Sequence, residues 1–265
     1  MLGDGIRLAV GTLTALPIPP PRRVDRSVTG FAMVVAPLAV VPLGVFVGLV
    51  CWAGRELGLD AFAVSAVAIG VLAMGSRALH LDGLADTADG LTASYDKERS
   101  LSVMKSGNTG PAGVAIIVIV LGVQIAALAN VIHRPYGPVL AGVLVCASRA
   151  ALALACMKGV PAAREDGLGV TYTQTVPHVV AVALWAAVAA ITSAATELTN
   201  VPWWHGLLGA VAAVAVVGLL LQRSVKRFGG VTGDTFGASI ELALATFLIS
   251  ATAPENFTFY TRIAG

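Results

Sequence analysis

Seven mostly apolar runs of about 20 residues divide this chain, and a run of that length matches the hydrocarbon thickness of a bilayer when it is coiled as a helix. The runs are Phe31–Ala53, Ala61–Leu79, Pro111–Ile132, Pro138–Met157, Val176–Ala195, Trp203–Leu221 and Phe236–Ala253. Of the 265 residues, 57% are hydrophobic and 12% charged, where a soluble domain carries about 25% charged residues. The predicted fold is therefore all-α, a polytopic transmembrane helical bundle of about seven spans. Residues 1–265 form a single integral membrane domain, with no stretch left for a second, soluble one. Pro37 and Pro42 are expected to bend the first span. Residues 1–30 read as an interfacial N-terminal segment. Gly3–Leu16 is too short to span, Pro17, Pro19, Pro20 and Pro21 end it, and Arg22, Arg23 and Arg26 form a basic collar. No charged-then-apolar signal with a cleavage site opens the chain, so it is read as mature from Met1. Cys51, Cys146 and Cys156 lie in apolar runs without CxxC spacing and read as packing residues.

The net charge of +2 says little, and no nucleic-acid partner is expected. The distribution of charge says more. Twelve Lys and Arg fall in loops on the N-terminal side, and three (Arg55, Arg134, Arg262) in the opposite loops. The positive-inside rule then puts the N-terminus in the cytoplasm and, with seven spans, the C-terminus outside. The same arrangement gathers the polar, glycine-bearing loops at the cytoplasmic face. A transporter is expected to keep polar groups near the midplane, on paired interrupted helices. Chemistry collected at one face favours an enzyme.

The densest chemistry lies in a cytoplasmic acidic segment, residues 80–110, which opens His80-Leu81-Asp82-Gly83-Leu84-Ala85-Asp86-Thr87-Ala88-Asp89-Gly90-Leu91. On a helix, Asp86 and Asp89 point about 40° and about −20° from Asp82, so all three acids share one face. Carboxylates that close repel and raise one another's pKa. A divalent cation removes that cost, and hard oxygens suit Mg²⁺, Mn²⁺ or Ca²⁺. The plainer alternative, an acidic helix start with solvated side chains, fits less well between two apolar runs. Gly83 and Gly90 leave backbone bare on a neighbouring face, where a phosphate or another helix can approach.

Other segments carry weaker signals. Lys105-Ser106-Gly107-Asn108-Thr109-Gly110 leads into a helix start at Pro111, an anion site or a plain cap. Lys226, Arg227, Gly229, Gly230, Thr232 and Gly233 again join cations to flexible backbone. The glycines suit phosphate, and the cations fit the positive-inside rule. Asp234 and Glu241 share a helix face, with Glu241 reaching into the bilayer, where a buried acid is usually functional. Arg164, Glu165 and Asp166 fit an ordinary solvated cluster. Arg77 and Arg149 lie in or near apolar runs and need a partner or a snorkelling path. Arg77 is placed to reach a substrate phosphate, and His80 is a candidate proton carrier.

Asp86 to Ala93 reads D-x-x-D-G-x-x-A, which resembles the opening of the CDP-alcohol phosphotransferase signature. The Arg and two acids that follow in that signature are absent, with Ser94 at the Arg position. The whole chain is more similar to the cobalamin synthase family, the adenosylcobinamide-GDP ribazoletransferases. His80–Leu91 resembles that family's hallmark, Met104–Gly113 a second block, Ala163–Gly169 a third, and Phe228–Ala238 with Glu241 the last; Leu13–Pro19 is also similar. In the second block the family carries an Asp, where this chain offers Ser106, Gly107 and Asn108 and no acid.

The resemblance implies transfer of the cobinamide-phosphate group of adenosylcobinamide-GDP to α-ribazole or its 5′-phosphate, with release of GMP. It also implies a bacterial or archaeal cytoplasmic membrane. Asp82, Asp86 and Asp89 would hold Mg²⁺ on the diphosphate, and Lys105 and Asn108 would touch phosphate or metal. Asp89 or Asp234 would take the attacking hydroxyl's proton. Arg77, His80, Gly83, Arg164, Glu165, Thr232, Asp234 and Glu241 complete the expected substrate contacts. A phospholipid-type CDP-alcohol phosphotransferase and a metal-ion or solute transporter are the two rival readings.

Overall fold

The structure, a computed structural model, describes residues 1–165 and 167–252 and, for Leu168, the backbone alone. Asp166 and the tail from residue 253, including Arg262, lie outside the described residues. The described chain is helical, with two isolated β-bridges, Met157 with Val176 and Ala162 with Val231.

An N-terminal helix α1 (Leu2–Leu13) precedes α2 (Arg26–Val34), α3 (Ala36–Ala39) and α4 (Val41–Glu56). The first apolar run is thus broken, where a bend was expected. Proline has no N–H to give and its ring clashes with the carbonyl four residues back, so Pro37 and Pro42 each sit in the first turn of a new helix. α2 starts at Asp25, whose side chain accepts from the N–H groups of Ser27 and Val28.

α5 (Ala61–Gly75) ends short of Leu79, and α6 (Leu79–Ala93) leaves it at 89°. The turn is made by Arg77 and Ala78, both left-handed at φ 58° and 55°. That conformation costs roughly 1–2 kcal/mol per non-glycine residue. The segment from Thr92 to Asn108, expected as merely polar, contains α7 (Lys97–Lys105), capped by Asp96 on the Arg99 N–H.

Next come α8 (Pro111–Ile132), α9 (Gly137–Ser148), α10 (Ala151–Ala155), the short α11 (Leu168–Tyr172), α12 (His178–Glu197), α13 (Trp204–Phe228) and α14 (Gly233–Ser250). Among the described residues four segments are long and apolar enough to cross a membrane: α8, Gly137–Ala155, α12 and α13. The bent pair α5–α6 makes a fifth if it counts as one span. Val114, Val118 and Ile119 on α8, Val179 and Val182 on α12, and Leu208 and Val211 on α13 are exposed, an apolar exterior suited to lipid. This is a membrane protein.

The centre of the bundle is α14. From Thr235 to Leu248 only Leu242 and Thr246 escape full burial, and α6, α8, α9, α10 and α13 pack around it. Elsewhere glycines let backbones meet. An added Cβ on Gly44 or Gly142 would lie 2.7 Å from the other's carbonyl oxygen, so α4 and α9 cross in direct backbone contact.

The polar segments converge at one end. Arg77 donates to the Gly11 carbonyl at 2.6 Å, joining the α5–α6 turn to the end of α1. Arg26 donates to the Gln174 carbonyl at 3.3 Å, and Arg164 to that of Leu101 at 2.7 Å. Arg227 donates to the carbonyls of Leu91 and Ser94 and lies 4.4 Å from the Tyr95 ring centroid.

α6 and α14 also approach backbone to backbone. A Cβ on Gly83 would fall 2.6 Å from the Asp234 carbonyl oxygen. Gly83→Ala gains about 1 kcal/mol of helix propensity but overpacks a rigid backbone contact at a cost of about 1–3 kcal/mol. It is expected to lower the thermal unfolding midpoint in detergent. An unchanged midpoint would show that the two helices are free to part.

Candidate active site

The α6–α14 crossing is sealed at two points. Gly83 faces the backbone of Asp234, and Gly237 faces that of His80, where a Cβ would sit 2.9 Å from the His80 Cα. Gly83 therefore gives its bare backbone to a helix, the second of the two uses its sequence allowed. The start of α14 is fixed by a capping box: the Thr232 hydroxyl accepts from the Thr235 N–H at 3.3 Å, and the Thr235 hydroxyl accepts from the Thr232 N–H. Thr232 also donates to Asp234 Oδ2 at 3.1 Å. Asp234 stands in the first turn, where the helix dipole favours negative charge.

This crossing sets Asp234 among the acids of α6. Asp82 is exposed and Asp86 half-buried. Burial, then the charges of Asp82, Asp234 and Asp89, push the Asp86 pKa up to about 6, against the opposing pull of Arg164. The Asp234 pKa is also raised, by burial first, while its Thr232 hydrogen bond and Arg164 work the other way. Arg164 is thus the cation that both carboxylates feel. It is carried there by backbone pairing: the Ala163 N–H donates to the Val231 carbonyl and the Val231 N–H to that of Pro161, each at 2.9 Å. Gly230 permits the approach, since a Cβ there would meet the Ala162 carbonyl carbon at 2.4 Å. Between the two loops lies a polar cleft of about 190 Å³, lined by Arg164, Gly167, Gly169, Thr232 and Asp234.

Asp89 has a different duty. Its oxygens accept from the N–H groups of Gly110 and Gly113, at 2.6 and 2.8 Å. An added Cβ on either glycine would strike the carboxylate. The anion expected at the start of α8 is thus the protein's own side chain, and the tie anchors α8 to α6. Lys105, Asn108 and Glu165 are exposed beside the site, with Gly107 of the same loop at φ +68°. Arg77, expected to reach a phosphate, spends its guanidinium on the Gly11 and Thr12 carbonyls.

Below the acids runs a buried polar layer that sequence reading saw only in part. Gln124 donates to Glu241 Oε2 at 2.8 Å, and His80 Nδ1 stands 3.8 Å from Glu241 Oε1. Arg149 is wholly buried, donates to the Val145 carbonyl and the Ser148 hydroxyl, and feels the Glu241 charge. Glu241 therefore meets protein groups first, and Gln124 joins a layer for which one amide in an apolar run gave no signal.

The donors suit a hard divalent cation. Asp82 and Asp86 lie one turn apart with Asp234 opposite, and Arg164 offsets the charge of Asp86 and Asp234. Among the described residues no three His, Cys, Asp or Glu side chains already converge as a cage. Mg²⁺ is commonly held by one or two carboxylates with substrate phosphate oxygens completing its shell, and Asp82 and Asp86 are the residues that could supply them. A helical membrane bundle with acids, an arginine and a glycine-walled cleft at one end has the parts of a membrane phosphotransferase.

A family model described as cobalamin-5-phosphate synthase matches residues 5–252. A Nocardioides sp. protein named adenosylcobinamide-GDP ribazoletransferase is 51% identical over 247 residues, covering 93% of this chain and 97% of that one. Proteins of the same name from Frankia casuarinae and Pseudomonas entomophila are 38% and 32% identical, over 92% and 91% of this chain and 93% and 96% of their own. No solved structure matches. The chain belongs to the cobalamin-5-phosphate synthase family.

The raised pKa of Asp86 has a measurable consequence. A carboxyl held above its unfolded value of 3.8, up to about 6, binds its proton more tightly when folded. Its contribution to stability is present below 3.8 and is lost as pH rises through about 6. In chelator the unfolding midpoint is expected to fall across that window by about 2–4 °C, allowing for solvent screening. Asp86→Asn or added Mg²⁺ should flatten the slope. Equal slopes with and without Asp86 would place the repulsion elsewhere.

Proposed function

We propose that this protein joins the two halves of a cobalamin, transferring the cobinamide-phosphate group of adenosylcobinamide-GDP to α-ribazole or its 5′-phosphate. Family membership selects this among the three readings of the sequence. The observation that carries it is the meeting of Asp82 and Asp86 with Asp234 and Arg164 beside a polar cleft.

In the reaction a ribazole hydroxyl attacks the phosphorus that bears cobinamide. A new P–O bond forms, the P–O bond of the anhydride breaks, and the electron pair leaves with GMP. Arg164 and the Thr232–Asp234 turn orient the diphosphate, which supplies most of the catalysis in such transfers. Asp234 takes the hydroxyl's proton, because Asp89 has both oxygens engaged by backbone N–H groups. Asp82 and Asp86 would hold Mg²⁺. That ion, when bound, supplies charge neutralisation for the attacking and leaving oxygens.

The reading includes a topology. Seven spans, namely α4, α5, α8, α9–α10, α12, α13 and α14, would put the N-terminus and the acids at the cytoplasmic face. The Lys and Arg asymmetry and the convergence of polar segments at one end support it.

Two measurements test the proposal. Purified protein in lipid nanodiscs with Mg²⁺ should release GMP from adenosylcobinamide-GDP only when α-ribazole or its phosphate is present. Asp86→Asn should lose about 100-fold or more in rate while keeping its helical circular dichroism. Normal turnover in that variant would remove the acids from the mechanism, and CMP release from CDP-diacylglycerol would favour the lipid enzyme. For topology, Tyr95→Cys, at an exposed turn between α6 and α7, should react in intact cells with a permeant maleimide but not with an impermeant one. The opposite result would invert the protein.

A further inference from the structure

A second cavity, of about 150 Å³, adjoins the polar cleft. Gly233 and Asp234 belong to the walls of both. One part of its lining is chemical: Asp82, Asp234 and His80, the last nine-tenths buried with its Nδ1 making no hydrogen bond. The remainder is mainly apolar, with Leu13, Met33, Leu152, Phe236 and Ile240. Tyr172 and Phe236 on its wall meet edge to face, centroids 6.4 Å apart at 80°. This is not a space for a diphosphate, which needs donors on all sides. Nor is it a space for a corrin, since sites for drug-sized ligands run to roughly 300–1,000 Å³. It has the size and lining for a flat bicyclic aromatic group with a polar attachment at the acidic end.

We propose that this cavity receives the benzimidazole-type base of the ribazole acceptor, leaving its ribose hydroxyl at Asp234. The inference rests on the proposed function, since that reading supplies the acceptor. It adds that α1, α2, α10 and α14 select the acceptor by its apolar base, while the polar cleft takes the diphosphate. Asp234, on the shared wall, lies where the two substrates meet. Met33 and Leu13, which no motif marked, become specificity residues.

The test varies the cavity and reads the two substrates separately, in nanodiscs with Mg²⁺. Ile240→Phe fills the space. It should raise KM for α-ribazole about tenfold or more and leave KM for adenosylcobinamide-GDP within about twofold. Met33→Ala enlarges the space. It should shift base preference from the riboside of dimethylbenzimidazole towards that of the longer naphthimidazole, and this variant keeps the test open if the first fails to fold. Unchanged acceptor KM in Ile240→Phe, equal changes in both KM values, or unaltered base preference in Met33→Ala would overturn the cavity assignment while wild-type turnover left the proposed function standing. Should the wild type release no GMP, the proposed function falls. The cavity is then judged by fluorescence titration with free 5,6-dimethylbenzimidazole. Saturable binding weakened in Ile240→Phe upholds it, and its absence removes it.

Discussion

The direct backbone contact between α6 and α14 is the constraint on which the site depends. Acids on one helix are brought against an acid on another only if the two axes approach closely, and any side chain at Gly83 or Gly237 would hold them apart. The contact also explains why α14 is so deeply buried. Its first turn must sit among charged groups at one end of the bundle, while the rest of it fills the centre. Repulsion among the carboxylates opposes the approach, so packing energy elsewhere along α14 has to exceed it.

Around that crossing, three loops are tied by backbone hydrogen bonds and arginine clamps. Arg227 holds the end of α6, Arg77 holds the end of α1, and the Pro161–Ala163 segment pairs with Val231. Asp89 closes the frame by gripping the start of α8. Two of these ties, those of Arg77 and Asp89, use groups whose charge also looked suited to substrate. On the walls of the two cavities stand Asp82, the Thr232–Asp234 turn and Arg164, whose guanidinium also donates to the Leu101 carbonyl.

What could be read beforehand follows from the range of the physics involved. The apolar runs and the helical spacing of Asp82, Asp86 and Asp89 are local, and α8, α9–α10, α12, α13 and α6 appear where periodicity puts them. The acid-bearing start of α14 was likewise visible. Long-range partners were not. Nothing near Asp89 in sequence announces that Gly110 and Gly113 will claim it, and nothing near Arg77 points to Gly11. Pro37 and Pro42 were seen but undervalued, because two prolines close together break a helix where one bends it. Arg149 stood out as a charge in an apolar run, yet its neighbours Gln124 and Glu241 come from α8 and α14. Leu13, Met33, Leu152 and Ile240 resemble any other packing residues until the fold puts them beside Asp82 and Asp234.

The buried layer of Arg149, Gln124 and Glu241 bears on how the chain is made. A lone arginine at the centre of a spanning helix resists insertion by about 2.5–3.5 kcal/mol on biological scales. Arg149 emerges from the ribosome long before Glu241, whose charge it feels in the finished bundle. Until α14 lies beside it, α9–α10 carries that charge with only its own Val145 carbonyl and Ser148 hydroxyl as partners. The helix that brings Asp234 to the acids of α6 is thus also the one whose Glu241 offsets the charge of an earlier helix.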